Sequence, residues 1–183
     1  MNLPEPPEHL SLEEFREHGH ALIDWIADYW GRVEDLPVVS QVAPGTIRDH
    51  LPPHAPETGE PFENLIKDLD SVVMPGITHW QHPSWFAFFP ANASPPSVLA
   101  ELASAGLGVQ GMLWSTSPAA TEIESHVLDW LVELMDLPTS WKTTEQGGGV
   151  LQMSASDSTH TALVVARHQA AKLGISPDSM VAY

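Results

Sequence analysis

Gly147, Gly148 and Gly149 run straight into the apolar stretch Val150–Met153, and that stretch runs into Ser154-Ala155-Ser156. A helical pattern, DSTHTALVVARHQAAKLG, follows at once. Glycine lets backbone approach a ligand closely, and the N–H groups at a helix start attract phosphate. This order of residues therefore suits anion binding. It equally suits a tight loop closed by a serine cap, and the stretch alone leaves both readings open.

Other constellations point less far. His79 and His82 have HxxH spacing, and His18 and His20 have HxH spacing. Neither pair has a third histidine or a carboxylate at a zinc-enzyme distance, so no metal site is expected. Ser156, Asp157 and His160 lie close together, but no GxSxG elbow accompanies them. The lysines are Lys67, Lys142 and Lys172. Lys67 sits beside Asp68 on an amphipathic pattern, Lys142 in a polar loop, and Lys172 in the last turn of a helix, where it favours the dipole. None has the apolar setting that makes a lysine a nucleophile, so no catalytic residue is assigned within the chain.

Composition narrows the partners. Seven Lys and Arg face 24 Asp and Glu in 183 residues, a formal charge of −17. A phosphate backbone needs a basic surface, so nucleic acid is excluded, and anionic membranes with it. A small anion can still bind, because local amides decide that. Cysteine is absent, which removes disulfides and thiolate chemistry. The start, MNLPEPPEHL, lacks a secretory pattern, and no stretch of about 18 apolar residues occurs. A cytoplasmic protein is the expectation.

The elements that must position these residues are mostly helical. Ser11 and Glu14 have capping-box spacing, and Phe15, Leu22, Ile26, Tyr29 and Val33 recur at helical intervals behind them. Trp25 and Trp30 widen that apolar face, which suggests a second surface to cover. Residues 36–61 are proline-rich and read as an irregular connector. Pro61 opens a helix through Val72, stopped before Pro75. The segment GITHWQHPSWFAFFPANAS fits no single period and reads as loop or short strands. Ser94-Pro95 and Ser117-Pro118 each open a helix, the second ending before Pro138. Val150–Met153 is expected to be a buried strand, residues 157–173 a helix stopped by Gly174, and Met180–Tyr183 the start of a second strand. Such a strand–helix–strand unit seeds a parallel sheet, and the expectation is the N-terminal portion of a larger α/β protein.

Four motifs occur in order: MPGITHWQHPSWFAFFPANAS, LWSTSPAATEIE, GGGVLQMSASDST and the closing VAY. Together they resemble the group II pyridoxal-phosphate decarboxylases, the aromatic-L-amino-acid decarboxylase family, over about Leu12 to Tyr183. The resemblance implies the type I fold of the aspartate-aminotransferase superfamily and a homodimer. Residues 1–94 would be a helical segment that wraps the partner subunit, and 95–183 the start of the large cofactor-binding domain. It implies pyridoxal 5'-phosphate as cofactor, its phosphate held by Ser154, Ala155 and Ser156. The substrate wall would be Trp80, Phe88, Phe89 and Pro90, with Gln110, Met112 and Trp114 on the loop lent to the neighbouring subunit; Trp85 and Phe86 are expected to be core.

Two departures from animal members stand out. Those carry threonine at the position of Ala91, and apolar or aromatic residues where Gln110 and Met112 sit. The implied activity is decarboxylation of an aromatic L-amino acid to its amine, with an aromatic aldehyde synthase as the alternative on the same fold. A non-catalytic dimerisation module is the rival. The family's ring-stacking histidine, pyridine-pairing aspartate and cofactor lysine belong to motifs beyond Tyr183, so the C-terminal remainder is expected as a partner.

Overall fold

The computed structural model describes residues 10–89 and 93–181. The chain divides into two compact units, Met1–Val98 and Leu99–Tyr183.

The first unit is organised by helix α1 (Leu12–Arg32). Its start is set locally. The Ser11 hydroxyl accepts the Glu14 N–H at 3.2 Å, and the Glu14 carboxylate accepts the Ser11 N–H at 2.8 Å. The Ser11 hydroxyl also donates to that carboxylate at 2.7 Å, and this bond, then the one from the Ser11 N–H, holds the Glu14 carboxyl below the usual carboxylate range. The connector 36–61 is irregular as expected, apart from one helical turn, α2 (Thr46–Asp49). Helix α3 (Phe62–Asp68) packs on α1, with the His18 ring stacked on Phe62 at 4.5 Å and Arg32 bonded to Asp70 at 2.8 Å.

The helix expected through Val72 is not α-helical to its end. It widens to a π turn over Leu69–Val73 and tightens to 3-10 over Met74–Gly76. Pro75 is the physical reason. It has no N–H to donate and its ring crowds the carbonyl four residues back, so the regular ladder cannot continue. Val33 and Met74 are buried here, and beside them His79 is the buried polar residue.

The second unit holds most of α4 (Pro95–Leu107), then α5 (Pro118–Leu134) and α6 (Ala155–Lys172). Ser117 caps α5 by accepting the Ala120 N–H at 3.2 Å. Beyond α5 the chain reverses through Asp136 in the left-handed region, ahead of Pro138. Helix α6 begins at Ala155, two residues before the expected start, because Ser154 is its cap. It ends as expected at Gly174, whose φ of 76° only glycine adopts without strain.

The expected strands are not formed. Val150–Met153 is irregular and exposed, and no β-strand occurs among the described residues. A strand needs a second strand to satisfy its N–H and C=O groups, and no described segment pairs with this one. The Leu151 N–H instead donates to the Glu124 carboxylate on α5 at 2.6 Å. Met180 is extended, at the end of a 3-10 turn over Pro177–Ser179, while Ala182 and Tyr183 lie outside the described residues. None of α4, α5 and α6 has a buried residue.

Candidate functional site

The glycine loop is fastened to α5 by acids. Asp129 accepts the Thr143 N–H at 2.8 Å and its hydroxyl at 2.6 Å, which holds the Asp129 carboxyl below the usual range. Lys142 pairs with Glu133. With Glu124 on Leu151, three carboxylates along one helix hold both flanks of the triplet. Inside it the fit is tight: a Cβ on Gly147 would lie 2.3 Å from the Trp141 carbonyl carbon. The triplet also borders a cleft of about 250 Å³ lined by Leu128, Val132, Met135 and Trp141.

This loop delivers Ser154 to the start of α6. The Ser154 hydroxyl accepts the Asp157 N–H at 3.1 Å and donates to the Asp157 carboxylate at 2.9 Å. It is therefore spent on the cap. The N–H groups of Ala155 and Ser156, and the Ser156 hydroxyl, bond to no other described residue. They are three donors at the positive end of an 18-residue helix. Asp157 opposes an incoming anion, but the Ser154 hydroxyl already offsets part of its charge. The donor set fits a phosphate.

The aromatic segment forms a cluster in the first unit. Trp80 stacks on Phe88 with centroids 6.1 Å apart, and Trp85 lies 5.2 Å from Trp80. Phe88 has a φ of 59°, a conformation costing about 1–2 kcal/mol outside glycine. Strain of this kind gathers at ligand sites. Phe89 is 91% exposed and stands outside the cluster among the described residues. The expectation that Trp85 and Phe86 are core does not hold. Trp85 is half-buried against Trp80 and Phe88, and Phe86 is 90% exposed. The cause is local: no apolar element is packed over this irregular segment among the described residues. Pro90 and Ala91 lie outside the described residues.

Gln110, Met112 and Trp114 share one exposed loop of the second unit. Trp114 Nε1 donates to Glu122 at 2.8 Å, and the Gln110 carbonyl accepts the Thr116 hydroxyl at 2.7 Å. A GxGxxG spacing also occurs here, at Gly106, Gly108 and Gly111. It falls at the C-terminal end of α4, where carbonyls rather than amides are free, so it is no phosphate loop.

The histidines of the HxxH pair are structural ties, a role their spacing does not signal. His79 shares a 3.0 Å hydrogen bond with the Tyr29 hydroxyl of α1, and its own N–H donates to the Val38 carbonyl at 3.0 Å. Burial, then the nearby His82, hold the His79 pKa below its ordinary value, while burial raises that of Tyr29. His82 uses both ring nitrogens. Nδ1 accepts the Ser84 N–H at 2.9 Å, and Nε2 faces the Glu34 carbonyl at 3.3 Å. No group of three metal-binding side chains occurs among the described residues, nor any helix long and apolar enough to cross a membrane.

Comparison with known proteins gives the geometry its context. Residues 44–173 match the pyridoxal-dependent decarboxylase conserved domain. The phenylacetaldehyde synthase of Arabidopsis thaliana is 46% identical over 86% of this chain and 32% of its own length. The crystal structure of Catharanthus roseus tryptophan decarboxylase in complex with L-tryptophan superposes with a TM-score of 0.83 at 42% identity, covering 94% of this chain and 37% of that one. A structure of Oryza sativa TDC with PLP and tryptamine gives 0.83 at 37% identity, covering 92% and 35%. The chain thus spans about a third of the length of these relatives, and carries the N-terminal helical portion of the type I fold.

Proposed function

The chain belongs to the pyridoxal-dependent decarboxylase family, and we propose that it forms the phosphate grip and substrate wall of an enzyme acting on aromatic L-amino acids. The carrying observation is the start of α6, where three unspent donors follow a loop held by three carboxylates. The Ala155 and Ser156 amides and the Ser156 hydroxyl would hold the phosphate of pyridoxal 5'-phosphate. When bound, that cofactor supplies the electron sink for the pair left as carbon dioxide departs. Trp80 and Phe88 present aromatic faces to a planar side chain, with Phe89 and Pro90 as further wall and Gln110, Met112 and Trp114 lent by the second subunit. Residues 1–94 would wrap a second subunit and 95–183 begin the cofactor domain, the complete enzyme being a homodimer in which a C-terminal polypeptide adds the reactive groups. A cytoplasmic location goes with this reading.

The second reading has equal support from the comparisons, since one close relative is a phenylacetaldehyde synthase. There the amino acid, dioxygen and water give aldehyde, carbon dioxide, ammonia and hydrogen peroxide. The test is a substrate panel on the complete enzyme. Tryptophan, tyrosine and phenylalanine are expected to react and glutamate is not, because residues 79–92 contain no Lys or Arg to meet a side-chain carboxylate. Amine without peroxide identifies the decarboxylase, and aldehyde with peroxide the synthase. Turnover of glutamate alone overturns both.

The grip itself is testable by equilibrium binding. Ser156→Ala is expected to weaken cofactor affinity by about 1–2 kcal/mol, the scale of one charge-assisted hydrogen bond. An unchanged affinity would reduce the loop to turn chemistry.

A further inference from the structure

His79 is the buried polar residue among the described residues, and it immediately precedes Trp80. Its ring reaches back 50 positions to Tyr29, and its backbone to Val38. His82, two residues past Trp80, ties to the Glu34 carbonyl and also accepts the Ser84 N–H. Trp80 is therefore bracketed by two anchored histidines, both fastened to α1 or to the chain just beyond it. The segment has no ladder and no regular helix; turn bonds such as His82 N–H to the His79 carbonyl shape it locally, and these ties, with the ring contacts to Trp85 and Phe88, help to set where the Trp80 face lies. Tyr29 is itself steadied by Trp25, whose ring lies 6.1 Å away and nearly parallel.

We propose that Tyr29, His79 and His82 are positioning residues that set the Trp80 face against α1 and so tune affinity for the aromatic side chain of the substrate. The inference rests on the reading of Trp80 as substrate wall. HxxH spacing, which in sequence suggests a metal, serves here to pin both ends of a four-residue arch. The ring nitrogens face a phenol, a carbonyl and an amide, which leaves His82 with no free lone pair. The strained backbone of Phe88 fits the same picture, since it persists only where surrounding contacts over-determine it.

The experiment uses the complete enzyme with Tyr29→Phe, Trp80→Ala and the double variant. Tyr29→Phe is expected to raise KM for the aromatic substrate about 5- to 10-fold, with kcat within about two-fold and cofactor affinity unchanged; that KM ratio corresponds to about 1–1.4 kcal/mol. In the Trp80→Ala background the same change is expected to add nothing, because the arch then has no face to aim. Binding of the product amine, followed by tryptophan fluorescence, should show the same pattern without turnover. His82→Asn keeps an acceptor for the Ser84 N–H but loses the Glu34 tie, and is expected to reproduce the KM effect if Tyr29→Phe folds poorly. An unchanged KM in both variants overturns the inference, as does multiplication of the two effects in the double variant. So does a parallel loss of kcat, KM and cofactor affinity that tracks melting temperature. Wild-type enzyme without any aromatic turnover sinks the proposed function and this inference together, whereas normal wild-type turnover with silent variants sinks only the latter.

Discussion

Expressed without a C-terminal complement, residues 1–183 are expected to show no cooperative thermal transition, to bind a hydrophobic dye and to be cleaved rapidly by protease. Among the described residues, Val33 and Met74 are the buried apolar side chains. Fully burying one such side chain contributes about 1.5–3 kcal/mol. Ordering the backbone costs about 1–2 kcal/mol for every residue. Two buried side chains do not offset that across so long a chain, and half-buried faces help only in part. The exposed set includes Ile123, Trp130 and Leu134 on α5, Leu163 to Val165 on α6, and Leu99 and Leu102 on α4. These are exposed apolar side chains on helices, the kind of surface that another part of a protein covers. Co-expression with a C-terminal polypeptide of family length is expected to yield a single cooperative melt with bound cofactor. A sharp melt of the isolated chain, with the large heat-capacity change that marks burial, would show that the chain needs no cover.

Gly147→Ala is the point substitution with the largest expected effect. The new methyl would sit 2.3 Å from the Trp141 carbonyl carbon and oxygen and 2.4 Å from its Cα. All three atoms are backbone, so no side chain can swing away. The loop itself is held by Thr143 on Asp129 and Leu151 on Glu124, so the strain cannot drain into a free segment. Overpacking of a constrained site costs about 1–3 kcal/mol, and the upper end is expected here. Urea unfolding of the complete enzyme should show a lower midpoint with an unchanged slope, and cofactor affinity should fall because Ser156 is displaced. Gly19→Ala provides the control. A Cβ there meets nothing within 4 Å, and alanine in a helix interior gains up to about 1 kcal/mol over glycine. Equal stability for the two variants would mean that the triplet is a flexible linker.

What could be read from sequence follows the range of the interactions. The helices were legible because their boundaries are written within four residues: Ser11 with Glu14, Ser117 before Pro118, Gly174 after Lys172. The start of α6 was legible for the same reason, although the helix begins earlier than its apolar pattern suggests, since Ser154 caps before that pattern begins. The π turn at Leu69–Val73 was not, because it answers to Pro75 and to the pairing of Asp70 with Arg32, 38 positions away. Nor was Tyr29 with His79, whose partners lie 50 apart and carry no spacing signature. The strand at Val150–Met153 was misread for a related reason. Its composition favours extension, but pairing is a property of a neighbour and not of the segment.

That unpaired stretch has a bearing on solubility. Bare unpaired backbone flanked by apolar side chains is a template on which other chains can stack as fibrils. Val150, Leu151 and Met153 are 64, 71 and 96% exposed, which is the hazardous composition. The Glu124 carboxylate sits on the Leu151 amide and occupies the donor that an incoming chain would use. It also brings negative charge to that edge, on a polypeptide that already carries −17 and repels its copies. One acid on α5 thus occupies the amide that such stacking would need.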